Sequence, residues 1–598
     1  MNNALEVLEQ VFGYKSFRDS QAEIIQNILD KKNVFVVMPT GGGKSLCYQI
    51  PALLFNGLTI VVSPLIALMQ DQVATLSELG VEAAYLSSSL TLDESRSLLQ
   101  KVRNSSIKIL YVTPEKLASN WFIDFLRNME ISLFAIDEAH CVSHWGHDFR
   151  PEYQKLIMIA ESFPHVPRIA MTATADSYTR IDILHYLKLK EAICFKSPLI
   201  RNNLFYMVQE KNDGKKQLLE FLNSHKNLSG IIYCSSRAKV DDIYQFLLEN
   251  GFNVRNYHAG LENQLRLESY RYFLQNDNTI MVATIAFGLG IDKPDVRFVY
   301  HFDMPKSIES FYQESGRAGR DGMSAYSVVS FGFKEIIEIS RLIILSESNE
   351  LKKKYELDKL KKIIKYCDTI ICRRKTLLEL MGEAAEVCGQ CDNCLNPQPL
   401  YDATIDAQKI LSTIYRVNQK FSVSHVTDIL RGKASLNVKI WEHNLLPTFG
   451  LLNNLPAKEI RRIIRNLYSR NLIDIDFLTG NLKLNDKSLK ILRGIEVLYL
   501  PQTIKNKKNK DIVNVWLRTE LEERIYKRIL NWRHQVAVRH NVSQHAVLSD
   551  RTIYHIVKDK PNTLDLLKNI HGIGQVKLAK FGENILEIIM ISNKGAIA

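Results

Sequence analysis

The chain has 598 residues, 46% hydrophobic and 24% charged, a globular composition too long for one core. No apolar run reaches membrane-spanning length, the acidic start Met1 to Glu9 has no signal-peptide core, and the nine cysteines are scattered except for one cluster, so a soluble intracellular protein without a disulfide framework is expected. The net charge of +12 lies in the last third: residues 401–598 carry 32 Lys and Arg against 18 Asp and Glu, and residues 1–400 carry 45 against 47. That asymmetry predicts a polyanion-binding appendage on a near-neutral engine, with ordinary solvated surface as the alternative.

The opening segment reads as an amphipathic helix with Leu5, Leu8 and Phe12 on one face, ended by Gly13. Phe17-Arg18-x-x-Gln21 follows, with Gln21 placed to read an adenine edge or simply to lie on the surface. The apolar run Val34–Val37 reads as a strand. It leads into Met38-Pro-Thr40-Gly41-Gly42-Gly43-Lys44-Ser45 and then a helical pattern from about Leu46. Strand, glycine turn and helix N-terminus together cradle phosphates. Lys44 would reach the β- and γ-phosphates, and the Ser45 hydroxyl would ligate Mg²⁺. Met38 stands where the full phosphate-loop pattern has its first glycine.

Further strand-like runs at 59–62, 107–112, 133–136 and 168–171 alternate with helices, predicting a parallel sheet covered on both faces. They end in Ser63-Pro64, Thr113-Pro114-Glu115, Asp137-Glu138 and Thr172-Ala-Thr174, and ligand groups belong at such carboxyl ends. Asp137 is expected to hold Mg²⁺ and Glu138 to orient the attacking water. Past residue 200 the alternation restarts at 231–234, 254–258, 279–283 and 296–300 without a second phosphate loop. A second sheet of that kind would close on the first domain's nucleotide. It carries Gln313-Glu-Ser-Gly-Arg317-Ala-Gly-Arg320, in which Arg320, with Arg317, suits an arginine finger.

These motifs resemble, in order, those of superfamily 2 helicases and specifically of bacterial-type RecQ DNA helicases. The resemblance rests on Phe17–Gln21, Met38–Ser45, Asp137-Glu-Ala-His140, Met171–Thr174, Tyr257-His-Ala-Gly260, Thr284–Lys293 with Gly290 and Asp292, and Gln313–Arg320. It implies a multidomain α/β protein: RecA-like domains at 1–200 and 201–338, a helical zinc-binding module at 339–400 and a winged-helix domain at 401–504. A basic linker at 505–515 and a small all-α HRDC domain at 516–598 complete the chain. ATP, Mg²⁺ and Zn²⁺ are the implied cofactors. Phe17, Arg18, Gln21, Thr40–Ser45, Gly290, Asp292 and Gln313 would contact the nucleotide.

The segment Ser143-His144-Trp145-Gly-His-Asp-Phe149-Arg150 resembles the aromatic-rich loop of these helicases. Its rings offer stacking faces for unpaired bases, and such a loop also fits an RNA helicase. Cys372, Cys388, Cys391 and Cys394, spaced C-x15-C-x2-C-x2-C, suit a closed tetrahedral site. Four thiolates serve zinc or an iron–sulfur cluster alike, and the resemblance favours zinc.

In the basic third, Ile460, Ile463, Ile464 and Leu467 form a buried helical stripe, leaving Arg461, Arg462 and Arg465 to track phosphates as a recognition helix does. Residues 472–484 read as a hairpin wing around a Thr-Gly-Asn turn. The resemblance implies that this hairpin works at the duplex junction, which makes Phe477 a candidate for a strand-separating contact. Leu521, Ile525 and Ile529 space a helix, Ser549 caps another, and His571-Gly-Ile-Gly574 precedes a third. The resemblance implies an enzyme that unwinds DNA 3′ to 5′, and a monomer acting in the bacterial cytoplasm, at the nucleoid, in recombination and repair is expected. Single-stranded and duplex DNA are its expected partners, with single-stranded-DNA-binding protein and other repair proteins. An RNA helicase and an ATP-gated DNA scaffold are the rival readings.

Overall fold

A computed structural model describes residues 2–87, 90–146, 148–288, 293–476, 478–502, 519–540 and 542–594. Gly290, Asp292, Phe477 and the basic linker lie outside the described residues. Seven parallel strands build the first sheet: β1 Val34–Val37, β2 Leu58–Val62, β3 Ala83–Leu86, β4 Ile109–Val112, β5 Ile131–Ile136, β6 Arg168–Thr172 and β7 Ile193–Lys196. Their order is β3-β4-β2-β5-β6-β1-β7. The inner strands are the apolar runs of the sequence, because helices cover both faces. The edges β3 and β7 escape that reading: β3 is half-buried along three of its four residues and β7 is mostly exposed, so neither needs a continuous apolar run.

The second sheet is also parallel: β8 Leu204–Glu210, β9 Gly230–Tyr233, β10 Val254–Tyr257, β11 Ile280–Ala283, β12 Phe298–His301 and β13 Ala325–Phe331, in the order β10-β11-β9-β12-β13-β8. One apolar core runs from this sheet through the zinc module into the winged helix, joining Leu204, Leu360, Tyr366, Ile410, Ile460 and Leu482. These three units therefore form a single packed body. The four main C-terminal helices, Glu520–His540, Asp550–Asp559, Leu564–Lys568 and Gln575–Lys594, enclose a separate small core. Ser549 caps the second of them, its hydroxyl accepting the Thr552 N–H at 3.1 Å.

Two sequence expectations change. The first helix, Asn2–Gln10, buries Ala4 and Leu8, whereas Leu5 is 40% exposed. Leu5 sits about 100° round the helix from Ala4, so the buried face is the i, i+4 pair that includes the small residue. The second change concerns the winged helix. The stripe Ile460, Ile463, Ile464 and Leu467 is fully buried on the helix Ala457–Ser469, as its spacing predicts. Arg462 and Arg465 are buried as well, because the helix packs on a second side. Arg465 donates to Asp368 at 2.8 Å and to Glu210 of β8 at 3.0 Å, and Arg462 pairs with Glu459. Neither is available to track phosphates; Arg461 alone of the three is exposed. The wing is the antiparallel pair Ile473–Asp476 and Asn481–Leu484.

Candidate functional site: a nucleotide cleft roofed by the C-terminal domain

β1 delivers the chain to the phosphate loop at its carboxyl end. Gly41 and Gly43 adopt φ of +79° and +82°, a conformation that side chains disfavour. Met38 is buried and floors the loop; a Cβ on Gly42 would stand 2.7 Å from its Cγ. The loop thus trades one glycine for an apolar floor, and Gly42 accommodates it. The helix Leu46–Leu54 begins directly after Ser45, so its first N–H groups face the loop. Lys44 Nζ donates to the Met38 carbonyl at 3.2 Å. Gln21 is buried, its amide donating to the Gly43 carbonyl at 3.0 Å while its oxygen accepts the Arg18 N–H at 2.9 Å. It braces the loop in this state. Arg18 lines the cavity with Gln21, but Phe17 packs in the small apolar cluster of Leu8 and Ile50.

β5 ends at Ile136 and presents Asp137 and Glu138 beside that loop. Asp137 accepts the Glu138 N–H at 2.9 Å, and the Tyr153 hydroxyl donates to its carbonyl at 3.0 Å. Burial first, then the charge of Glu138, push the Asp137 carboxyl up to about 7, while Lys44 and Arg320 pull it down. A carboxylate in that position calls for a cation. Glu138 sits at φ +47°, turning the chain into the 3-10 segment Ala139–Val142. His140 Nδ1 stands 3.0 Å from Thr172 Oγ1 and 3.3 Å from Glu138 Oε2. Burial lowers this imidazole to about 3, so it is neutral at physiological pH. The Thr172 hydroxyl donates to the Thr174 carbonyl at 2.9 Å. His140 thereby joins the acidic pair to Thr172-Ala-Thr174 at the end of β6.

The second sheet faces the same space. Thr40, Gly41, Gly43, Lys44, Ser45, Asp137, Glu138, Gln313, Arg317 and Arg320 line one cavity of about 580 Å³. The donors, the acidic pair and the positive-φ glycines fit a nucleoside triphosphate with Mg²⁺. Arg317 is only 4% exposed, and its charge acts on Tyr233 of its own domain. Arg320 is the arginine whose charge reaches Asp137 across the cleft. Sequence reading missed Arg201, in the connector between β7 and β8. It donates to the Thr40 carbonyl at 2.7 Å in one domain and to the Gly319 carbonyl at 2.9 Å in the other.

The C-terminal helical domain forms the cavity's far wall through Ser549, Arg551, Thr552, His571 and Lys577. Gly572 N–H donates to the Gly13 carbonyl at 3.1 Å, and a Cβ on Gly13 would stand 2.7 Å from the Gly574 nitrogen, so two glycine turns meet backbone to backbone. Lys580 reaches Glu78 of the first domain at 3.1 Å. Buried Arg533 pairs with Asp277 of the second domain at 3.3 Å and with Asp550 at 2.7 Å. The domain bridges both sheets, and burial holds Lys577 down at about 8.

The aromatic loop lies outside the core, as expected: His144 is exposed and Trp145 and Phe149 are half-buried. His144 and Phe149 rings lie 3.7 Å apart. Trp145 packs edge-on to Tyr355 of the zinc module at 5.1 Å and near Tyr178 at 5.6 Å, and Lys359 donates to its carbonyl at 3.1 Å. Arg150 is committed to Asp148 at 3.1 Å and to the Pro64 carbonyl at 2.9 Å, so it anchors the loop to the end of β2.

The sulfur atoms of Cys372, Cys388, Cys391 and Cys394 lie within 4.8 Å of one another. Tetrahedral zinc–thiolate bonds of about 2.3 Å place sulfurs about 3.8 Å apart, so modest tightening suffices. Backbone N–H groups of Cys388 and Arg373 donate to the sulfurs of Cys372 and Cys391 at 3.2 and 3.3 Å, favouring thiolates. Of the cysteines outside this cluster, Cys47, Cys141, Cys234 and Cys367 are buried and Cys194 is exposed.

Two RecA-like sheets that share one nucleotide cleft, with a phosphate loop, an acidic pair and an arginine turn, define a superfamily 2 helicase. Family models match in chain order: DEAD/DEAH box helicase over residues 18–181, helicase conserved C-terminal domain over 213–322, RecQ zinc-binding over 333–395, RQC domain over 397–509 and HRDC domain over 522–589. The chain is 40% identical to the ATP-dependent DNA helicase RecQ of Pasteurella multocida, covering 99% of this chain and 94% of that one. It is 39% identical to the Haemophilus influenzae protein of that name, over 98% and 95%, and 36% identical to the Bacillus subtilis one, over 98% of each. The chain belongs to the RecQ family of ATP-dependent DNA helicases. No helix among the described residues is long and apolar enough to cross a membrane.

Proposed function

We propose that this helicase moves 3′ to 5′ on single-stranded DNA and separates duplexes at the wing, with the cleft between its two sheets as the engine. The reading rests above all on one observation: Lys44, Asp137, Glu138 and Arg320, drawn from both domains, line a single cavity. Thr40, Gly41, Gly43 and Lys44 bind the triphosphate through backbone N–H groups and the ammonium. Ser45 and Asp137 would hold Mg²⁺, which would supply positive charge to the phosphate oxygens. Glu138 orients the attacking water, and Arg320 stabilises charge developing on the transferred phosphoryl group. The neutral His140 carries the state of the acidic pair to Thr172, at the start of the segment that leads to the aromatic loop's neighbour Tyr178.

Trp145, Phe149 and His144 supply stacking faces for bases. Of Arg461, Arg462 and Arg465, Arg461 is the one left exposed to meet phosphate. Single-stranded-DNA-binding protein and other repair proteins are the proposed partners, at the bacterial nucleoid. Steady-state ATP turnover with and without single-stranded DNA or RNA tests the engine. Turnover stimulated by DNA and abolished in Lys44→Ala supports the reading. Stimulation by RNA alone would favour an RNA helicase.

A further inference from the structure

Arg201 occupies the connector between the two sheets, after Lys196 closes β7 and before Leu204 opens β8. Its guanidinium meets both halves of the engine. Nη1 donates to the Thr40 carbonyl of the phosphate loop at 2.7 Å and to the Gly316 carbonyl at 3.2 Å. Nη2 donates to the Ala318 and Gly319 carbonyls at 3.0 and 2.9 Å, and Nε to the Asn203 side-chain oxygen at 3.4 Å. Asn203 in turn donates to Gly319 and Met323 carbonyls, both at 2.8 Å. The turn 316–319, immediately before Arg320, therefore hangs on one planar fork that also grips the loop opposite.

That grip is close. A Cβ on Gly41 would stand 3.3 Å from Arg201 Nη1 and 3.5 Å from the Arg320 Cα. The Gly319 backbone itself lies at φ +60°, a left-handed turn that only external support or glycine tolerates. Acceptors that are backbone carbonyls do not titrate, so the link responds to distance between the domains rather than to pH. A lysine places its donors on one tetrahedral nitrogen and cannot span both domains as the fork does.

We propose that Arg201 is a positioning residue: it registers closure of the cleft at the Thr40 carbonyl and, through the 316–319 turn, sets Arg320 against the phosphoryl group. Closing the cleft makes the Thr40 contact and opening breaks it, so the finger is aligned only when the phosphate loop is within reach. The inference deepens the assignment of Arg320 as the finger and rests on it.

The test is DNA-stimulated ATP turnover by the full chain with Arg201→Ala, Arg201→Lys, Arg320→Ala and the double variant Arg201→Ala/Arg320→Ala, alongside binding of a fluorescent ADP. A small misplacement of a catalytic group costs roughly 10- to 100-fold. Arg201→Ala and Arg201→Lys should both lose kcat by that factor, while ADP affinity stays within about threefold. The double variant should be no slower than Arg320→Ala, because a finger that is absent cannot be misplaced. Added guanidinium ion should restore part of the Arg201→Ala rate and none of the Arg201→Lys rate, where the lysine fills the space. Should Arg201→Ala misfold, the lysine variant carries the test alone. Full kcat in Arg201→Lys, or a double variant slower by the product of the single effects, overturns the proposal. If Arg320→Ala itself turns over normally, the finger assignment fails instead, and the two failures are distinguishable.

Discussion

Arg465 decides whether the helix Ala457–Ser469 reads DNA or holds the molecule together. Its side chain is 7% exposed and its partners Asp368 and Glu210 are 4% and 24% exposed. It also lies over the Phe331 ring of β13 at 4.6 Å. Arg465→Ala removes the cation and leaves at least one carboxylate buried and uncompensated. Breaking a buried pair in this way costs about 3–5 kcal/mol. Units of 150–250 residues lose about 2–4 °C per kcal/mol, so a melting temperature roughly 10 °C lower is expected for the body that joins the second sheet to the winged helix. Differential scanning calorimetry gives the shift, and fluorescence anisotropy across a salt series gives the number of phosphates contacted. The salt slope of Arg465→Ala should equal that of the wild type, while Arg461→Ala should lower it by about 0.9, one contact on duplex DNA. A stable Arg465→Ala protein whose salt slope falls by one would refute the structural role and restore the phosphate contact.

Other outcomes follow from the cleft and its borders. The Asp137 carboxyl is raised in the fold, so its protonated form favours folding and that contribution is lost as pH rises through about 7. In nucleotide-free, Mg²⁺-free protein, Asp137→Asn should therefore melt higher than wild type at pH 8, with the advantage shrinking towards pH 4; a pH-independent difference would contradict the burial argument. Elemental analysis should find one zinc per chain, absent in Cys391→Ser, whose melting temperature falls because the module shares its core with the second sheet; iron with visible absorption would mean a cluster instead. Glu78→Ala cuts the ties to Lys580 and His540, so a fluorescent ATP analogue should dissociate faster from the variant as the C-terminal wall loosens. An unchanged release rate would mean that the wall does not restrict the cleft.

The chemistry of the cleft was legible because backbone geometry dictates it. A phosphate loop needs glycines at positive φ, and an acidic pair at a strand end needs an apolar strand before it. Both leave local patterns, and the inner strands of the first sheet lie within two residues of the runs that announced them, whereas in the second sheet the inner strand β13 and the edge strand β8 had no announcing run. What stayed hidden involves distant partners. Arg465 reads as a surface cation until Glu210, 255 residues away, is seen beside it. Arg201 bonds across the cleft to backbone carbonyls, which any residue supplies, so no complementary charged side chain marks it. The docking of the C-terminal domain depends on Lys580 meeting Glu78 and on two glycine turns touching, contacts more than 500 residues apart. The half-exposed edge strands β3 and β7 carry too little apolar periodicity to stand out from loops.

The central claim is an ATP-driven engine with a direction. Strand displacement on a 3′-tailed DNA duplex, with ATP and Mg²⁺, tests it directly when run beside a 5′-tailed duplex and the Lys44→Ala protein. Displacement of the 3′-tailed substrate alone, lost in the variant, is the predicted result. Displacement of the 5′-tailed substrate alone would reverse the polarity, and ATP turnover without displacement of either would contradict the unwinding claim and remove the wing from its proposed place at the junction.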